Sequence, residues 1–368
     1  MGQLPPLARG VIGANPHALH RDGVRARKVL EAGRSRIAKT LNAHSDEIIF
    51  TSGATESDNL ALLGTIYRAV EDGTDPRTIT LITSDLEHAA VSEVASHIAG
   101  INTVTIPSET GVIDPKHIMI PEKCRLALIS IMYVNNEIGT VQPIKEIAKR
   151  VRYLRKQHPE TTIILHTDAT QAPVHFSLNV AQLGVDMMTL GATKLYTHKG
   201  VGVLYKKRSS KLSPIMYGGG QEMGLRPGTE SIELIHAFAH ALAYAEKIRE
   251  TETARIAELQ QYFESNLKEA FLDISITAHD QDRTPHITHV AIPNFDSELL
   301  VIELDAKGIA VSAKSACKNE EDQESHIVQK LYGKNVGAIR FSFGRMTEEG
   351  ELDRVINALQ QSIDKYKI

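Results

Sequence analysis

Short apolar runs alternate with helical stretches from about residue 20 to 245, and each run stops at a cluster of polar residues. The runs Glu47-Ile-Ile-Phe50, Thr78 to Thr83, Arg125 to Val134, Thr161 to His166 and the two on either side of Lys194 have the length and β-branched content of buried strands. Strands separated by helices predict a mostly parallel sheet covered on both faces, and ligands of such sheets bind at the carboxyl ends of the strands. The polar clusters at those ends are therefore the first place to look for chemistry. Residues Asp22 to Leu41 repeat Val, Ala, Leu and Ile at helical spacing with Arg and Lys outward, as in a surface helix. A long helix from about Ile232 to Ala270 follows the glycine-rich stretch 216–229, and beyond it the strand-like Ile287 to Ile292 and Ile339 to Phe343 suit a smaller α+β domain. The expected division is a large domain over residues 10–245 and a small one over 246–368, joined by residues 1–9.

Size and charge narrow the function classes. A chain of 368 residues, 42% of them hydrophobic, fills two globular cores, and a net charge of -4 gives no field that would draw it to nucleic acid or anionic membrane. Two cysteines, Cys124 and Cys317, make no disulfide framework, and no apolar run is long enough to span a bilayer. A cytoplasmic, reducing setting is expected. The sixteen histidines show no HExxH spacing, and His286 and His289 would face opposite sides of a strand, which argues against a metal pair there.

The polar clusters carry the chemistry. Lys194, between two apolar runs and followed by glycines, reads either as an ordinary loop lysine or as one whose ammonium is desolvated enough to act as a Schiff-base nucleophile. Residues 47–64 read as strand, glycine turn and helix, with Thr55 and Asp58 at capping-box spacing; such a helix start is either a simple cap or an anion site that suits phosphate. His88 follows a strand end and is a ligand-edge or a capping residue. Asp168, after Ile163-Ile-Leu165, is partly desolvated and suited to hold a cation or a protonated ring nitrogen. Cys124 reads as a core residue, whereas Cys317 follows a short strand at Gly308 to Val311 in a polar stretch, with Lys314 and Lys318 close enough to lower its pKa.

Taken in order, the motifs Phe50-Thr-Ser-Gly-Ala-Thr-Glu-Ser57, Glu87-His-Ala-Ala-Val91, Val134-Asn-Asn-Glu-Ile-Gly139, Asp168-Ala-Thr-Gln171, Lys194, Gly218-Gly-Gly-Gln-Glu222, Ser315-Ala-Cys317 and Arg340-Phe-Ser-Phe-Gly-Arg345 resemble those of the NifS/IscS-like cysteine desulfurases, of the class-V aminotransferase group. The resemblance runs from about Asn15 to the C-terminus. It implies fold type I of the pyridoxal-phosphate enzymes, with a seven-stranded, mostly parallel sheet, and conversion of L-cysteine to L-alanine. It also implies the roles. Lys194 holds the cofactor and moves the substrate Cα proton; Asp168 binds the pyridine nitrogen, His88 stacks on the ring and shuttles protons, and Gln171 bonds the phenolic oxygen. Ala54 and Thr55 cradle the phosphate, Thr229 reaches the phosphate of a neighbouring subunit in a homodimer, and Asn136 lies near the phenolic oxygen or the substrate carboxylate. Arg340 clamps that carboxylate, and Cys317 takes the sulfur as a persulfide for a sulfur-acceptor protein. The spacing from Cys317 to Ser325-His326 resembles the long-loop members linked to iron-sulfur assembly and tRNA thiolation.

The sequence departs from the family at three places. The usual first strand with Asn-Ala-Thr-Thr does not precede Asn15, which predicts a more open pocket. Gly191-Ala-Thr193 stands where Ser-Gly-His is usual, leaving only the Thr193 hydroxyl to compensate for a lost phosphate ligand and imidazole, so weaker cofactor retention is expected. Ala313-Lys314 replaces Ser-Gly before the cysteine, which removes a flexible residue and adds a charge. Alternatives on the same fold are a selenocysteine lyase, an aminotransferase, or a sulfur-handling scaffold without efficient turnover.

Overall fold

A computed structural model describes residues 11, 13–313, 326–333 and 336–366, and they fall into two compact units. The first comprises residues up to 107, 113–133 and 142–248; the second comprises 108–112, 134–141 and 249 onward. The division inside the long helix lies between Ile248 and Arg249, and residues 1–9 lie outside the described residues.

The first unit runs α1 (Arg21–Leu41), β1 (Ile48–Thr51), α2 (Ala54–Glu71), β2 (Ile79–Ser84), α3 (Ala89–His97), β3 (Asn102–Ile106), β4 (Leu126–Ser130), α4 (Ile144–Gln157), β5 (Thr162–Asp168), α5 (Val180–Leu183), β6 (Met187–Gly191), β7 (Gly202–Lys206) and the first half of α6 (Ile232–Ala270). Its seven strands lie in the order β1-β7-β6-β5-β4-β2-β3; β7 is antiparallel to both neighbours and the other pairs are parallel. Every residue of β2, β4 and β6 is buried, as strands covered on both faces must be. The edge strand β3 keeps Asn and Thr toward water. Ile49, Leu60, Leu81, Leu128, Met187 and Leu204 form one continuous core between sheet and helices. The parallel order aligns the carboxyl ends of β2, β4, β5 and β6 along one edge, where His88, Asp168 and Lys194 follow their strands.

The second unit contains the rest of α6, β8 (Ser275–Ile276), β9 (Ile287–Pro293), α7 (Ser297–Asp305), α8 (His326–Tyr332), β10 (Val336–Ser342) and α9 (Glu349–Tyr366). Its antiparallel sheet, β10-β9-β8, packs on helices through Phe263, whose ring meets those of Phe341 and Phe343 edge-on at 5.0 and 5.5 Å. Gly308 to Val311 is not a strand; the chain turns there, and only Ser312 pairs with β10, at Arg340. Among the described residues no helix is long and apolar enough to cross a membrane.

Candidate active site

Lys194 closes a tight turn, Ala192–Lys194, that begins where β6 ends. Met187 to Leu190 and Val203 to Tyr205 are buried, yet Thr193 and Lys194 stand exposed above them. The apolar runs therefore anchor the turn without walling in the ammonium, and the expected desolvation of Lys194 by its flanking strands is not what the fold provides. The turn is seated against its neighbours instead. A Cβ on Gly202 would come within 2.5 Å of the Gly53 carbonyl carbon, and a Cβ on Gly191 would stand 3.2 Å from Ala54 Cβ and 3.4 Å from Thr170 Cγ2. Three loops, one carrying the lysine, one opening α2 and one following Asp168, thus converge at a single point.

Helix α2 opens at Gly53 with no side-chain cap, so Thr55 and Asp58 do not form a capping box. The first N-H groups of the helix have no partner within it, and Glu56 in the first turn accepts from Ser52 N at 2.7 Å while pairing with Arg226 at 2.9 Å. Asp58 points into the protein, is fully buried, and neither carboxylate oxygen has a hydrogen-bond partner. Burial, then the charge of Asp168, raises its pKa well above the usual carboxylate range. His166, whose Nε2 lies 3.6 Å from Asp58 Oδ1, is lowered to about 3 by burial; its ring meets Ser130 Oγ at 2.9 Å and Thr189 Oγ1 at 3.1 Å. Burial disfavours the charged form of both groups, and the His166 ring is bound by Ser130 and Thr189 at hydrogen-bond distance and stands farther from Asp58.

Asp168 ends β5, 7% exposed, with Oδ1 accepting the Thr170 N-H at 2.9 Å. Gln171 follows, half-buried. His88 caps α3, its Nδ1 accepting from Ala90 N at 3.1 Å, which puts any ring proton of the neutral form on Nε2. The adjacent Glu87 ties that loop to the end of β4: its carboxyl accepts from Ser84 Oγ at 2.5 Å and from Met132 N at 3.0 Å. Burial pushes Glu87 up to about 8 from 4.5. Between those values the folded protein keeps a proton that the unfolded chain has lost, so stability declines as pH rises from about 4.5 to 8. Asp58 contributes in the same direction. Each tenfold difference in proton affinity between the folded and unfolded chain is worth about 1.4 kcal/mol, so chemical denaturation at pH 5 and pH 8 should show a loss of a few kcal/mol, and Glu87→Gln should reduce it. An unchanged slope in that variant would leave Glu87 out of the account.

The glycine-rich loop leaves Thr229 exposed but sends Glu222 inside. Arg34 of α1 grips Glu222 with two N-H groups, at 2.6 and 2.8 Å, and Phe50 N donates to the same carboxylate at 2.8 Å. Glu222 and Met223 both take left-handed backbone angles, φ 47 and 60, strain that the buried ion pair holds in place. This strap escaped the sequence reading, although Arg34 sits in register with the buried Leu30, Ile37 and Leu41 of α1, a signal that it turns inward.

In the second unit, Arg340 Nη1 donates to the Asn136 carbonyl at 2.6 Å and Nη2 to Ser312 Oγ at 3.1 Å. Asn135 shapes that turn, its Oδ1 accepting from Glu137 N and Ile138 N at 2.9 and 2.8 Å. Cys317 lies outside the described residues, as do Lys314 and Lys318; Cys124 is buried, as a core residue should be.

A phosphate-bearing aldehyde needs an amine, an anion cradle and a counter-charge for its ring nitrogen, all in one place. Lys194, the start of α2 and Asp168 fit pyridoxal 5'-phosphate in this way, and the first unit has the architecture of fold type I pyridoxal-phosphate enzymes. Residues 11–355 match the profile described as aminotransferase class-V. The cysteine desulfurase IscS of Dictyoglomus turgidum is 34% identical over 362 residues, spanning 96% of this chain and 88% of its own. IscS 1 of Archaeoglobus fulgidus is 33% identical over 96% of this chain and 90% of its own. A solved NifS-like protein superposes with a TM-score of 0.84 at 29% identity, covering 96% of this chain and 92% of its own. The chain belongs to the class-V aminotransferase family, whose cofactor is pyridoxal 5'-phosphate.

Proposed function

We propose that the protein is a cysteine desulfurase acting on L-cysteine and passing the sulfur to an acceptor protein. The observation that carries this reading is the close packing of Gly191, where the Lys194 turn begins, against Ala54 and Thr170, so close that an added Cβ would stand 3.2 and 3.4 Å from them, in a chain whose relatives are named for that activity. Bound pyridoxal 5'-phosphate supplies an electron sink for the pair released at the substrate Cα. Asp168, held by Thr170 N, keeps a negative charge beside the ring nitrogen, and Ala54 and Thr55 offer backbone N-H groups to the phosphate. Gln171 and Asn136 serve the phenolic oxygen or substrate, Arg340 takes the substrate carboxylate, and Thr229 serves the phosphate of a second subunit in a homodimer. Lys194 removes the Cα proton, and His88, with Nε2 as its proton-bearing nitrogen, moves protons to and from the substrate.

Cys317 completes the chemistry as a thiolate. Its sulfur bonds to the substrate Sγ while the Cβ-Sγ bond breaks; the electron pair of that bond stays on carbon, which is protonated to the methyl group of alanine. The sulfur remains on Cys317 as a persulfide until an acceptor takes it, in iron-sulfur assembly or tRNA thiolation. Purified, cofactor-supplemented protein given L-cysteine and a thiol reductant should form alanine and sulfide in equal amounts; no alanine from cofactor-loaded protein would overturn the reading.

Gly191 and Thr193 bear on retention. A hydroxyl at residue 191 would add a ligand to a charged phosphate, a bond worth about 1.5 to 3 kcal/mol, offset by the 3.2 Å approach to Ala54 Cβ. Gly191→Ser should therefore slow cofactor loss on dialysis by about tenfold relative to the parent, followed by absorbance of the retained cofactor. Parent protein that keeps its cofactor as well as the variant would remove the argument.

A further inference from the structure

The Arg340 guanidinium is held at two corners before any ligand arrives. Its five N-H donors form a planar fork. One donates to the Asn136 carbonyl at 2.6 Å and another to Ser312 Oγ at 3.1 Å, while Nε is buried with no partner. The main chain reinforces the grip. Ser312 and Arg340 pair as an isolated antiparallel bridge, with Arg340 N donating to Ser312 O at 2.7 Å and Ser312 N to Arg340 O at 3.3 Å. Ser312 is thus fixed to the very residue whose side chain its hydroxyl holds. On the opposite side β9 pairs His289 with Arg340, and His289 is buried and neutral, lowered to about 3 by burial and then by the Arg340 charge. The Glu137 Oε1 is likewise buried with no partner, and its charge favours the guanidinium. A buried guanidinium with donors still to be satisfied favours an anionic acceptor, and the N-H groups of the terminal nitrogens that Asn136 and Ser312 leave unused can supply the bonds.

We propose that Ser312 is the positioning residue that sets the attitude of the Arg340 fork and so makes the site selective for substrates bearing an α-carboxylate. This rests on the reading of Arg340 as the carboxylate clamp. Asn136 holds one terminal nitrogen through a main-chain carbonyl that no side-chain substitution removes; Ser312 holds the other through a hydroxyl. The two together keep the fork from swivelling about its long side chain and leave the second N-H of each terminal nitrogen for the ligand. Without the hydroxyl, only one corner remains fixed, and a bidentate partner must order the fork as it binds.

The test uses the cofactor-loaded protein and two competitive ligands, 3-mercaptopropionate, which carries a carboxylate, and cysteamine, which does not. Ser312→Ala should raise the KM for L-cysteine about tenfold with kcat changed less than about twofold, weaken 3-mercaptopropionate by the same factor in calorimetric titration, and leave cysteamine unchanged. The isosteric pair Ser312→Thr and Ser312→Val repeats the comparison at one shape, with only the threonine variant expected to keep parental values. Equal weakening of both ligands, or a fall in kcat without a rise in KM, would make Ser312 merely structural and overturn the inference. Arg340→Lys separates the two levels. If it raises KM strongly while the Ser312 variants do not, the inference alone fails; if it too leaves KM unchanged, the carboxylate-clamp reading falls with it.

Discussion

Lys194→Ala should form alanine from L-cysteine at least about 10⁴-fold more slowly than the parent, because one side chain both tethers the cofactor and moves the Cα proton. Single-turnover alanine formation measures the loss, and dialysis against buffer should strip the variant of cofactor far faster. The turn itself should survive: Ala192 and Leu195 stay buried on either side of the exposed pair Thr193 and Lys194, so the melting temperature of the cofactor-free protein should move little. Added methylamine restoring part of the rate would confirm that the missing group is an amine. A variant with near-parental turnover would remove Lys194 from the mechanism.

Cys317→Ser should abolish sulfide release, by about 10³-fold or more, while cofactor content and its visible absorbance match the parent. A serine hydroxyl is not ionised near neutral pH and cannot accept sulfur, whereas the cysteine thiolate does both. Mass spectrometry of parent protein treated with L-cysteine should show one added sulfur on the peptide containing Cys317, and none in the variant. Sulfide release that persisted at the parental rate would place the acceptor thiol elsewhere, and Cys124, buried beside the β4 core, is the only other cysteine in the chain.

Six of the seven strands were legible as short apolar runs because strands covered on both faces are apolar throughout, whereas β3, exposed over its first four residues at the sheet edge, gave no such run, and the number seven was implied by the family resemblance. Lys194, Asp168 and His88 were placed at the carboxyl edge for the same reason, and that is where the strands end. Local spacing misled where tertiary packing decided the outcome. Thr55 and Asp58 have capping-box spacing, yet Asp58 faces the core and Gly53 starts the helix; apolar runs flank Lys194, yet they lie beneath the turn and leave the ammonium outside. The short strand foreseen at Gly308 to Val311 dissolved into a turn, with its one pairing residue, Ser312, set against Arg340. Long-range partners such as Arg34 with Glu222 are invisible to periodicity, because their meeting depends on a fold that brings residues of distant segments together.

The pairing of β1 with β7 has a kinetic consequence. Lys194 sits in a hairpin made of neighbours in sequence, which can form early, whereas Ile48 pairs with Tyr205 across most of this unit's sequence, the kind of contact whose loop-closure entropy makes it slow. The helix start at Gly53 meets the lysine turn through that same late closure, since Gly202 packs on Gly53. Cofactor capture should therefore report completion of the most non-local step in folding this unit, and a refolding chain should acquire bound cofactor in its slowest phase. Ligand present during refolding would then hold that closure shut by mass action, without hastening the steps that lead to it.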